Sequence, residues 1–72
     1  MTEIGKLLKR KSVNKAEISR RTGISTSRLS DLSLKKSARL TAEELYLIAL
    51  AIDIKPSTVL EEVCRHLNLK IQ

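Results

Sequence analysis

Apolar residues recur at helical spacing in five stretches of the chain, and polar caps or breakers separate them. Ile4, Leu7 and Leu8 stand at i, i+3 and i+4, which predicts a first helix over about residues 2–11. Lys6, Lys9, Arg10 and Lys11 lie toward its end, where cations suit the helix dipole. A second helix is predicted over 15–22. Asn14 is its N-cap, Glu17 at N3 makes a capping-box variant, and Val13 staples to Ile18. Gly23 stops it by taking a left-handed conformation. The same grammar repeats over 26–34, with Ser25 as cap and Ile24 stapled to Leu29. After the basic stretch Lys35-Lys36-Ser37-Ala38-Arg39, Thr41 and Glu44 form a Thr-x-x-Glu capping box and Leu40 staples to Leu45. The helix they open, 42–52, is aliphatic or Ala from Leu45 to Ile52 except at Tyr46. Such a helix is expected to be central and buried on most sides, with Tyr46 at the edge of the core. Asp53 ends it. Pro56 at N1 opens a last helix over 56–67 with Val59, Leu60, Val63 and Leu67 on its inner face, and an alternating tail, 68–72, follows.

The pattern describes one all-α domain of five short helices over residues 1–72. The apolar set agrees: 12 Leu, 7 Ile and 3 Val stand against a single aromatic, so strand formers are scarce. No apolar run approaches the roughly 20 residues of a membrane span. Met1-Thr2-Glu3-Ile4-Gly5 reads as neither the h-region nor the cleavage site of a signal peptide. Cys64 is the sole cysteine, which excludes an internal disulfide and points to a cytoplasmic protein. His66 is the sole histidine, so no metal is expected. Cys64 and His66, at i and i+2, point to different helix faces and form no reactive pair. There is no nucleophile–base pair, paired-carboxylate pocket or cofactor fingerprint, so the reading is of no enzyme, no cofactor and no small-molecule ligand.

Charge changes the picture more than composition does. The net charge is +6. Residues 1–40 hold 11 Lys+Arg and 3 Asp+Glu, a balance of +8, whereas 41–72 hold 3 and 5, a balance of −2. A basic end on a small domain is the electrostatic footprint of a polyanion binder with a defined docking face.

The helices over 15–22 and 26–34 are joined by Thr22-Gly23-Ile24-Ser25, a connection that suits a helix-turn-helix. Ile18, Ile24, Leu29 and Leu32 are expected to meet beneath the turn. The stretch Lys15-Ala16-Glu17-Ile18-Ser19-Arg20-Arg21-Thr22-Gly23-Ile24-Ser25-Thr26-Ser27-Arg28-Leu29-Ser30 resembles the lambda-repressor/Cro-like (Xre) helix-turn-helix family, as does Leu45 to Ile54 its fourth helix and exit. The departures are Ser19 for the usual Ala, Thr22 for an apolar residue, Ser33 and Lys35 for a closing Glu and Gly, and Asp53 for Gly. The resemblance implies a bacterial or phage regulator that binds double-stranded DNA. It also implies that Thr26, Ser27 and Asp31 occupy positions that touch bases.

On the residues alone, Ser27, Ser30, Asp31 and Leu34 point away from the core, with Thr26 and Arg28 on the flanks. An α-helix fits the major groove with its N-terminal residues against base edges. Arg28 is suited either to guanine or to a phosphate. Lys15, Arg20 and Arg21 on one side and Lys35, Lys36 and Arg39 on the other are the phosphate candidates. Six such contacts would make log K fall with log salt at a slope of about −5.

One small module reads few base pairs, and the resemblance implies a homodimer on two half-sites. Leu60, Cys64, Leu67, Leu69 and Ile71 are the candidate interface, since they exceed what one short helix must bury. The function expected is a sequence-specific transcriptional regulator, a repressor by occupancy. The alternative is an antitoxin- or controller-type small protein, or a protein-interaction module that reuses the fold and meets a partner protein.

Overall fold

Hydroxyl and amide side chains begin four of the five helices. The computed structural model describes residues 1–70 and contains α1 (Glu3–Arg10), α2 (Lys15–Thr22), α3 (Thr26–Leu34), α4 (Ala42–Ala51) and α5 (Pro56–Cys64), with no strand among the described residues. Thr2, Asn14, Ser25 and Thr41 each accept a hydrogen bond from a backbone N–H of the first turn they cap. The capping box of α4 is complete in both directions. That of α2 is only half formed: Asn14 accepts from Ala16 and Glu17, but the Glu17 carboxylate turns away to Arg20. Lys55 offers α5 no side-chain cap, and Pro56 starts it by fixing φ and needing no donor.

Three helix ends are closed by left-handed residues, and only one of these is glycine. Gly23 (φ 81°) donates to the Ser19 carbonyl, which is the single-bond αL stop. Ser12 (φ 54°) and Asp53 (φ 59°) close α1 and α4 by Schellman motifs. Ser12 N–H donates to Lys9 and Val13 N–H to Leu8; Asp53 N–H donates to Leu50 and Ile54 N–H to Ala49. Val13 and Ile54 then pack on the core, which is the apolar contact that accompanies this motif.

The core is built from Ile4, Leu7 and Leu8 of α1, Ile18 of α2, Leu29 and Leu32 of α3, Leu45, Ile48 and Ala49 of α4, Ile52 just beyond it, and Val59 of α5. Ile18, Leu29 and Leu32 all belong to this one buried cluster, with Ile24 packed half-buried against it. Each fully buried Leu or Ile contributes about 1.5–3 kcal/mol. α1 packs on α3 and α5, and α4 on α2 and α5, so the α2–α3 pair sits at one side of the bundle.

Three expectations need correction. α4 is not buried on most sides: Tyr46 is 55 % and Leu50 49 % exposed, and Leu47 is exposed too. Four other short helices have too little surface to cover an all-apolar cylinder, and only its α2 and α5 sides are covered. α5 stops at Cys64 rather than continuing to 67, with Leu67 exposed after a turn closed by its N–H on the Cys64 carbonyl. Arg65 and His66 are exposed and offer no apolar contact to hold another turn. Leu60, placed on the inner face by spacing, points to solvent, and Val59 takes the buried position beside it.

Candidate nucleic-acid interface

α3 is held by one face and open along another. Ser25 accepts from the Arg28 N–H, and this cap turns Leu29 and Leu32 inward. Thr26 and Ser27 are then exposed in the first turn, while Ser30 and Asp31 follow half-buried one turn on. Leu34, 59 % exposed, closes the row. Thr26, Ser27, Ser30 and Asp31 therefore share one surface of α3. The polarised N-terminus of α3 lies beside Thr26 and Ser27, with a field that favours anions.

The cations divide into two groups. Lys15 lies across the helix pair with Nζ 3.5 Å from the Ser30 hydroxyl, so it joins the open face of α3. Lys35 reaches Asp31 at 3.3 Å one turn back, which offsets the carboxylate's repulsion of any polyanion. Lys36 and Arg39 are exposed on the α3–α4 loop and make no ion pair among the described residues. Arg20 is exposed and paired with Glu17, whose carboxyl it holds below the usual range through their hydrogen bond.

Arg21 and Arg28 stand apart from that surface. Arg21 Nη1 donates to the Ala51 carbonyl at 3.0 Å, at the C-terminus of α4, where unpaired carbonyls and the helix dipole both attract a cation. Arg28 Nε and Nη2 donate to the two carboxylate oxygens of Glu44 at 2.8 and 3.0 Å, and Nη2 also donates to the Arg39 carbonyl at 2.6 Å. The Arg28 hydrogen bond, with help from the N–H and hydroxyl of Thr41, holds the Glu44 carboxyl down at about 2 against the opposing effect of burial. On α1, Arg10 is taken up by Glu62 and Lys6 by Glu3.

Sequence spacing overlooks two features that position this surface. Glu44 reads only as a capping residue, although it also anchors Arg28. Thr2 reads only as the first residue of a helix over about 2–11, yet its hydroxyl donates to the Leu32 and Ser33 carbonyls at 2.5 and 3.0 Å and fixes the end of α3. A glycine inside the first helix, Gly5, is the signal that another backbone comes close there. Among the described residues no three His, Cys, Asp or Glu side chains gather, and no helix is long and apolar enough to cross a membrane. Of the residues expected at an interface between copies, Leu60, Leu67 and Leu69 are exposed, Leu69 at 93 %, and Cys64 is half-buried. Ile71 lies outside the described residues.

Two short helices crossing at a glycine turn, with the second laid open and rimmed by cations, define a helix-turn-helix nucleic-acid-binding domain. Residues 3–63 match the Cro/C1-type HTH DNA-binding domain, and the chain belongs to that family. The lambda-repressor/Cro-like resemblance and the all-α five-helix fold both hold. No curated protein and no solved structure matches the chain.

Proposed function

We propose that this chain is a sequence-specific regulator of transcription that occupies double-stranded operator DNA as a homodimer in the cytoplasm and represses by occupancy. α3 enters the major groove, with Thr26, Ser27, Ser30 and Asp31 toward base edges. Lys15, Arg20, Lys35, Lys36 and Arg39 hold the phosphates on either side. Arg21 drops out of that set because α4 occupies it. The observation that carries the reading is the open hydroxyl-rich face of α3 between Lys15 and the α3–α4 loop, in a chain of this family. Two copies joined through Leu60, Cys64, Leu67 and Leu69 supply the second recognition helix that a short half-site requires.

Selection of bound sequences from a random duplex library at near-physiological salt tests it. An enriched palindrome with half-sites about one helical turn apart is the expected result. Retention without enrichment would leave a backbone binder, and no retention would end the DNA reading. In that last case the exposed apolar residues Leu34, Tyr46 and Leu50 favour the second reading, a module that binds a partner protein.

A further inference from the structure

Arg28 occupies the first turn of α3 beside Ser27, and a guanidinium there is chemically suited to grip guanine. Its Nε and Nη2 donors are engaged elsewhere. The bidentate pair with Glu44 is the least exposed ion pair among the described residues, at 36 % and 17 % side-chain exposure. Glu44 is committed in turn, since its Oε1 accepts the Thr41 N–H at 3.0 Å while Thr41 Oγ1 accepts the Glu44 N–H at 3.1 Å. Arg28 also donates to the Arg39 carbonyl. One guanidinium thus ties three segments together: the first turn of α3, the end of the α3–α4 loop and the first turn of α4. Ala38 and Leu40 anchor the loop by packing half-buried on the core, but polar contacts do little else to order it. Between Lys36 and Leu40 its backbone makes one backbone–backbone hydrogen bond among the described residues, from Ala38 N–H to the Lys35 carbonyl at 3.1 Å. Lys36 and Arg39 ride on that loop.

Resting on the DNA reading above, we infer that Arg28 is a positioning residue: with Glu44 it fixes the loop that presents Lys36 and Arg39 to phosphate, and it reads no base. Turning Arg28 into the groove would strip Glu44 of its charged partner and leave the Arg39 carbonyl unpaired. Base reading is then left to Thr26, Ser27, Ser30 and Asp31.

The test uses the full chain with Arg28→Gln, Glu44→Gln and the double variant. Gln at position 44 retains the capping-box acceptor, so the start of α4 is preserved. Without DNA, amide hydrogen exchange across residues 36–40 is expected to quicken by roughly tenfold in either single variant and no further in the double, as residues of one unit behave. With DNA, each single variant is expected to select the wild-type sequence but bind it roughly three- to tenfold more weakly. The salt slope becomes shallower by about 1–2, because loop cations lose phosphates. A base preference that changes in Arg28→Gln and not in Glu44→Gln would show Arg28 reading that base and overturn the inference. Unchanged exchange and affinity in both variants would overturn it too. A wild-type chain that binds no duplex would remove the DNA role along with the reading beneath it, while quickened exchange in both variants would still establish the clamp.

Discussion

Gly5 of α1 and Ser33 of α3 meet backbone to backbone. A Cβ on Gly5 would stand 2.9 Å from the Ser33 Cα and closer still to its carbonyl oxygen. That carbonyl is pinned by the N–H and hydroxyl of Thr2, so it has no freedom to move aside. In an ordinary helix interior, Gly→Ala stabilises by about 0.5–1 kcal/mol. Here the clash reverses the sign. Gly5→Ala is expected to cost about 1–3 kcal/mol, the usual range for overpacking. Urea denaturation reads it directly, and an unchanged or higher midpoint would show that α1 can lift from α3 without loss.

The opposite outcome is expected at the left-handed stops. Ser12 and Asp53 hold φ near 54° and 59°, conformations that strain a side chain and suit glycine. Both residues are exposed, so no packing is lost on replacement. Ser12→Gly is expected to raise stability by about 0.5–1 kcal/mol, after the extra freedom glycine gives the unfolded chain is set against the relieved strain. Asp53→Gly gains less, because Asp tolerates this region better than Ser. Thermal denaturation ranks the two.

The Arg28–Glu44 pair sets an acid limit on stability. The Arg28 guanidinium holds the Glu44 carboxyl at about 2 in the folded chain, well below the usual carboxylate range. A folded value lower than the unfolded one means that the unfolded state takes up protons first as pH falls. The contribution is therefore complete above about pH 5 and is lost progressively between there and about pH 2. Unfolding free energy followed from pH 6 to pH 2 should fall less steeply in Glu44→Gln than in the wild type. Parallel curves for the two would remove Glu44 as a source of the acid sensitivity.

What the sequence makes legible is what near neighbours decide. Asn14, Ser25 and Thr41 announce helix starts because a cap reaches only two or three residues along the chain, and Gly23 announces a stop for the same reason. The open face of α3 follows from the same local rules once Leu29 and Leu32 are turned inward. Contacts that span 16 residues or more are a different matter: Arg28 with Glu44, Arg21 with Ala51, Thr2 with Ser33. Whether those side chains face each other depends on how helices cross, which spacing within one helix does not encode. α4 misleads in another way. Its apolar residues say what is able to be buried, while the area of the neighbouring helices decides what is buried.

Leu60 offers the cleanest probe of self-association. Its side chain is half exposed on the outer side of α5, so Leu60→Glu should change the stability of a single copy by no more than about 0.5 kcal/mol. At an apolar interface between copies the same substitution buries a charge on each side of the two-fold axis. Sedimentation equilibrium is expected to show a dimer for the wild type and a monomer for Leu60→Glu. A dimer that survives the substitution would move the contact to Leu67, Leu69 or the exposed face of α4.

Phosphate contacts and base contacts should come apart in DNA binding. Lys36 is exposed, makes no ion pair among the described residues and stands on the loop beyond α3. A cation of that kind adds affinity for any duplex and releases a counterion when it binds. Lys36→Ala is expected to weaken specific and non-specific duplexes by a similar factor and to reduce the salt slope by about 1. Ser27 is exposed in the first turn of α3, carries no charge and offers a hydroxyl to a base edge. Ser27→Ala should leave the slope alone and relax the preference at one base pair of each half-site. Titrations of both variants against a selected duplex and a scrambled one, at several salt concentrations, separate the two effects. If Lys36→Ala instead alters preference at one base pair while Ser27→Ala lowers the slope, the groove and backbone sides of this surface are assigned the wrong way round, and α3 lies on the DNA in a different orientation.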